Sequence, residues 1–154
     1  MAALFLDPSA LVKRYIAETG SRWVRRQTTL SAGNDLSLSA LAGPEVAGSL
    51  VRAARGGRVP ARLLRPLLAA YQSHLANRYV VIPLDMEVMS ESLRLAESHG
   101  LRGADAVHLA AALVRDRQRR ARNASSMTFV SADQEQLAAA RLEGLAVDDP
   151  NLHP

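Results

Sequence analysis

The chain has 154 residues, 48% of them hydrophobic, which is enough for one domain with its own buried core. It contains no cysteine, so disulfides, thiolate zinc sites and cysteine nucleophiles are excluded, and a 4% aromatic content argues against a stacking platform for single-stranded nucleic acid. The formal net charge is +4, and Lys13 is the only lysine among many arginines, a balance that suits an anionic partner such as nucleic-acid phosphate or an acidic protein.

Ala2-Ala3-Leu4-Phe5-Leu6 reads as a short buried strand that ends at Asp7. Pro8 suits the first position of a helix, with Asp7 as its cap and Leu11, Val12, Tyr15 and Ile16 on its apolar face. Gly20 closes that helix, and Ser21 is placed to cap a second, from Arg22 to about Leu30, with Trp23 and Val24 inward. After a turn at 31–35, Leu36-Ser37-Leu38-Ser39 alternates as a strand does. Pro44 opens a helix that carries Glu45, Val46, Leu50 and Val51 and stops at Arg55-Gly56-Gly57-Arg58.

Pro60 begins a further helix with Leu63, Leu64, Leu67, Leu68, Tyr71 and Leu75 on one face, and Pro66 inside it predicts a kink or restart. That apolar stripe suits the core and also a groove for a partner. Residues 79–84 read as a strand, Asp85 caps a helix from Met86 to Ser98, and Gly100 ends it. An alanine-rich helix is expected from Ala104 to about Arg122, then a strand at 127–131, a short helix near 134–142 and a last strand at 145–147. Strands alternating with helices predict an α/β domain over residues 1–150, with a parallel sheet of four to five strands covered on both faces and a tail at 151–154. No basic leader precedes the first strand and no apolar run approaches the length of a membrane span, so a cytoplasmic protein is expected.

Four acids carry the chemistry. Asp7 and Asp133 follow apolar strands, at the edge of an α/β sheet where ligands bind. Glu45 and Asp105 have apolar flanks, which suit partly buried carboxylates. Each has a plain alternative as a helix cap or dipole partner; Ser131 and Gln134 could form a capping box around Asp133. Brought together, carboxylates about 4 Å apart repel by roughly 1–4 kcal/mol per pair and require a counter-charge. A hard divalent cation such as Mg²⁺ meets that need. It would supply a water of lowered pKa for in-line attack on a phosphodiester. Lys13, Arg14 and Arg102 lie near the expected rim, as phosphate ligands or as solvated charge. His108, one helical turn after Asp105, is either a substrate or carboxylate contact or a satisfied buried side chain.

The run Leu6-Asp7-Pro8-Ser9-Ala10-Leu11-Val12-Lys13 resembles the opening of PIN-domain nucleases. Gly103-Ala104-Asp105-Ala106-Val107-His108-Leu109-Ala110-Ala111-Ala112 resembles their third acidic motif, Phe129-Val130-Ser131-Ala132-Asp133 their fourth, and Glu45 their single glutamate after the second strand. The resemblance spans nearly the whole chain, and short bacterial members of this kind are mostly VapC toxins of type II toxin–antitoxin pairs. It implies a ribonuclease dependent on Mg²⁺ or Mn²⁺, usually a homodimer, restrained by an antitoxin protein. It implies metal ligation by Asp7, Glu45, Asp105 and Asp133, with Ser9 and Ser131 near the metal. Gly43-Pro44 and Glu135 depart from the usual pattern, which leaves the start of one helix and the number of metals open.

Two other classes compete. An aspartate after a first strand can be a phosphoryl acceptor, but such sites use a late lysine, and the only lysine here is Lys13. The other is a catalytically inactive module that binds RNA or protein, which the basic charge allows.

Overall fold

A computed structural model describes residues 1–153. Its five strands form one parallel sheet in the order β3-β2-β1-β4-β5. They are β1 (Ala3–Leu6), β2 (Asp35–Ser39), β3 (Val80–Ile82), β4 (Thr128–Val130) and β5 (Ala146–Asp148). The helices are α1 (Pro8–Leu11), α2 (Ser21–Gln27), α3 (Ala42–Arg55), α4 (Ala61–Asn77), α5 (Met86–His99), α6 (Gly103–Arg120) and α7 (Gln134–Leu142), with short 3₁₀ turns between them.

Strand alternation divides the core. Leu4 and Leu6 face one side, with α1 to α4; Ala3 and Phe5 face the other, with α5, α6 and α7. Phe5 stacks on Phe129 from β4, with ring centroids 5.9 Å apart, on the α5–α7 side. The stripe on α4 packs inward through Leu64, Leu67, Leu68, Leu75 and the buried Tyr71, whereas Leu63 is exposed. Such burial of apolar area is the main drive for folding, at about 25 cal/mol per Å².

Several boundaries differ from the expectation. Ser21 is the first residue of α2 and does not cap it; its hydroxyl takes the Glu18 N–H and donates to the Ile16 carbonyl. That helix ends at Gln27, three residues early, and a 3₁₀ turn follows. Helix α3 starts at Ala42, two residues before Pro44, which then falls in the first turn, where its missing N–H has no intrahelical partner to lose. Helix α4 runs through Pro66 without a restart, held by its packed face.

Strand order decides where the site lies. From β1 the chain moves outward to β2 and β3, then crosses back to place β4 on β1's other side. The connections after β1 and β4 therefore part at their carboxyl ends: α1 goes to one face of the sheet and α7 to the other. The crevice left between them is the topological switch point, where α/β sheets bind ligands.

The end of the chain closes over the loop between α1 and α2. Residues 150–152 form a 3₁₀ turn, and the His153 ring stacks on Trp23 at 4.5 Å. Gly20 has a φ of +84°, and a Cβ there would collide with the Pro150 carbonyl oxygen. Gly20→Ala is expected to cost at least about 2 kcal/mol, from left-handed strain together with the collision. A thermal melt measures it; an unchanged midpoint would mean that this contact is loose in solution.

Candidate functional site

Asp7 is the first residue past the central strand. Its backbone N–H extends the sheet by donating to the Val130 carbonyl (3.0 Å), so its position is fixed by β1 and β4 together. The side chain is 4% exposed. Its Oδ2 caps α1 through the Ser9 N–H (3.0 Å) and accepts the Ser9 hydroxyl (2.6 Å). Its Oδ1 accepts from the Gln136 amide (3.1 Å). The capping reading of Asp7 and its placement in the crevice are thus both true.

Across the split, Ser131 stands at the end of β4. Its hydroxyl donates to Gln136 Oε1 (2.8 Å) and accepts from the Asp133 N–H (3.0 Å), and its oxygen lies 3.2 Å from that of Ser9. Ser9 Oγ in turn accepts the Ala132 N–H (2.9 Å), which stitches the two diverging loops together. Helix α7 is capped by Asp133, whose Oδ1 takes the Gln136 N–H (3.0 Å). The cap is therefore Asp133 and not a Ser131–Gln134 box; Gln134 instead donates to Asp149.

Asp105 lies in the first turn of α6, half-buried. Burial holds its carboxyl above the ordinary carboxylate range, and the charges of Asp7, Asp133 and Glu45 push it the same way, against a smaller opposing effect of His108. All four acids therefore share one region. Among the described residues Asp7, Asp105 and Asp133 form no ion pair with lysine, arginine or histidine. The donor set is all carboxylate oxygen, the chemistry that suits Mg²⁺ or Mn²⁺. Its geometry is not closed: among the described residues no three Asp, Glu or His side chains converge on one cation position.

Glu45 is oriented from behind. His108, 1% exposed, reaches Glu45 Oε2 through Nε2 (3.0 Å) and Ser39 Oγ through Nδ1 (2.7 Å). The ring bridges a strand hydroxyl and a carboxylate, one nitrogen to each. His108 is thus a satisfied buried side chain, and the carboxylate it contacts is Glu45 on α3 and not its own helix's Asp105. In front of Glu45 opens a cleft of about 510 Å³, lined by Ser9, Val12, Leu41, Ser49 and Arg52 among others.

The basic residues divide. Lys13 is not at the rim: it is buried, and its three donors go to Glu18, the Thr19 carbonyl and Asn151 at 3.0–3.1 Å. Its ammonium is spent tying the chain end down, which leaves nothing for a phosphate. Arg14 donates to the Thr28 carbonyl and lies near His74. Arg102 is exposed immediately before α6, three residues ahead of Asp105. Two residues were missed in the sequence. Arg52 reaches the cleft from the same helix as Glu45, seven positions on, a spacing of two turns that was there to be read. Gln136 carried no signal, since a glutamine in a mixed helix reads as surface.

No family model matches this chain. Two curated proteins from Mycobacterium tuberculosis do, over 114 residues at 39% identity, covering 73% of this chain and 76% of each relative: Ribonuclease VapC45 of strain CDC 1551 / Oshkosh and Ribonuclease VapC49 of strain ATCC 25618 / H37Rv. Among solved structures, VapBC2 from Rickettsia felis, crystallised bound to a DNA fragment from the promoter, superposes with a TM-score of 0.59. The alignment covers 96% of this chain and 98% of that one, at 14% identity, a likeness of fold. With a single five-stranded parallel sheet, acids gathered at its switch point and relatives at this level of identity, the chain belongs to the VapC ribonuclease family.

Proposed function

We propose that the protein is a metal-dependent endoribonuclease that hydrolyses RNA phosphodiesters, and that it is the toxin of a toxin–antitoxin pair. The observation that carries the metal reading is the uncompensated charge at the switch point. Asp105 sits among Asp7, Asp133 and Glu45 without a cationic side chain on the first three. The ribonuclease reading rests on the names of the two mycobacterial relatives, and the antitoxin on the VapBC2 neighbour.

Asp7 and Asp105 would hold the cation, Mg²⁺ with Mn²⁺ as substitute, and Asp133 and Glu45 would complete its shell directly or through water. When bound, that cation would supply an activated water and charge stabilisation at the phosphate. The rest falls to the chain's own residues. Ser9 fixes one oxygen of Asp7, and His108 fixes Glu45 against the Ser39 hydroxyl. Arg102, exposed just before α6, and Arg52, exposed in the cleft beside Glu45, would bind substrate phosphates through planar forks. A second copy of the chain is a further expected partner, and a cytoplasmic location is part of the same reading. Exposed Met86, Met89 and Leu93 give α5 an apolar face for protein contact. No described helix is long and apolar enough to cross a membrane.

The test is RNA cleavage by purified protein with Mg²⁺ or Mn²⁺ against EDTA, beside Asp105→Asn. Metal-dependent cutting is expected from the parent, with a loss of at least about 100-fold in the variant. A folded Asp105→Asn protein that cuts at the parent rate would remove Asp105 from the mechanism.

The same charge has a signature in stability. A carboxyl whose folded pKa is raised binds more protons folded than unfolded between the two values. Cation-free protein therefore gains stability as pH falls through that window, between the ordinary carboxylate value and the raised one, and loses it as pH rises. In EDTA at neutral pH, Asp105→Asn is expected to melt above the parent, and the gap to close as pH falls through the window. A lower melting point for the variant at neutral pH would show that the charge is compensated in solution.

A further inference from the structure

Gln136 occupies an unusual place for an uncharged side chain. It is the third residue of α7, 1% exposed, and its amide lies between two of the four acids. Nε2 donates to Asp7 Oδ1 (3.1 Å) and approaches Asp105 Oδ1 (3.3 Å) and the Asp105 carbonyl (3.4 Å). Oε1 accepts from Ser131 (2.8 Å). This orientation is self-consistent. Turning the amide over would aim its oxygen at both carboxylates, which only accept, whereas the Ser131 hydroxyl can donate or accept, so the carboxylates fix which end faces the acids.

An amide N–H₂ is the positive end of a dipole, not a charge. It can satisfy lone pairs on two carboxylates and so lower the cost of burying them, because hydrogen bonds to charged groups are among the stronger ones in proteins. It cannot neutralise them. Asp105 stays above the ordinary carboxylate range with the amide in place. The amide also links Asp7 to Asp105 in an arrangement in which no three acids converge on one cation position. Helix α7 joins the two acids through this side chain, since Asp133 caps it and the backbone N–H of Gln136 is the group that Asp133 holds.

We propose that Gln136 is a positioning residue that substitutes for the cation in the metal-free protein: its amide holds the Asp7–Asp105 pair together, and a cation must displace that contact to draw the acids onto itself. The proposal rests on the metal reading above. The amide sets how strongly the protein takes up metal, by stabilising the state without it. Removing the amide destabilises the metal-free form more than the loaded one. Adding a charge at the same place exaggerates the difference.

The experiment is a thermal melt of the full chain, parent against Gln136→Leu and Gln136→Glu, each in EDTA and in a titration of Mg²⁺ or Mn²⁺ alone. The rise in Tm with cation is expected to be larger in both variants than in the parent. The apparent Kd for Mn²⁺ is expected to fall about tenfold in Gln136→Leu, the scale of one hydrogen bond to a charged group. Gln136→Glu is expected to melt lowest in EDTA and to recover most with metal. If the parent responds to cation and both variants lose the same amount of stability with and without it, Gln136 is an ordinary buried contact; the proposal fails and the metal reading stands. If neither the parent nor the variants respond to either cation, the metal reading fails and this proposal with it. Should Gln136→Glu not fold, Gln136→Leu alone decides, since a cation response equal to or smaller than the parent's overturns the idea.

Discussion

Carboxylates that share a buried corner repel one another, and most of the polar detail at the carboxyl end of this sheet is a response to that repulsion. Asp7 has no freedom to move away, because its N–H is a rung of the sheet and its Oδ2 caps α1. The remaining groups adjust around it. Ser9 supplies its hydroxyl, Ser131 holds the Gln136 amide whose donors turn inward, and His108 presents Nε2 to Glu45. The donors that reach Asp7 and Asp105 are hydroxyl, amide and backbone groups, none of them a cation. An arginine in the same corner would solve the electrostatics better, at roughly 4 kcal/mol for a contact pair at an effective dielectric of 20. It would also fill the place of any incoming cation. A site that compensates with dipoles stays open to a metal, and one that compensates with a salt bridge does not.

Elsewhere in the fold, carboxylates are compensated by cationic side chains. Asp35 pairs with Arg115 and Arg119, and Glu143 with Arg94 and His99. Lys13 is enclosed by three oxygens. The chain has many arginines, and it uses them against carboxylates elsewhere. Their absence from Asp7, Asp105 and Asp133 is local, which makes it informative.

The acids were legible in the sequence because two independent signals coincide on them. Asp7 and Asp133 follow apolar runs that read as short buried strands, and Glu45 and Asp105 sit in apolar surroundings near helix starts. Alternation of strands and helices gave the parallel sheet by the same means. What escaped depends on distance along the chain. Lys13 looked like a rim residue because Asn151, one of the groups that enclose it, lies 138 positions away. Helix α3 begins ahead of Pro44 in a turn where the Ala42 carbonyl accepts the Tyr71 hydroxyl, 29 positions on. Gln136 is polar in a helix whose buried face is set by how α7 leaves β4, and local pattern does not encode that exit.

The buried serines of β2 complete the argument about how the strands serve the site. On one face β2 contributes Leu36 and Leu38 to the core, as a strand between two helical layers should. On the other it presents Ser37 and Ser39, both fully buried, where valine or isoleucine would add apolar area. Ser39 has a use: its hydroxyl holds His108, and through it Glu45, from beneath. Ser37 has no partner among the described residues, and an unsatisfied buried hydroxyl costs on the order of 1–3 kcal/mol. The small side chains leave room for α6 to lie close over β2, and that approach lets a histidine on the helix reach both a strand hydroxyl and a carboxylate on α3. Apolar burial is given up along this strand, and the return is a glutamate held in one orientation beside the cleft.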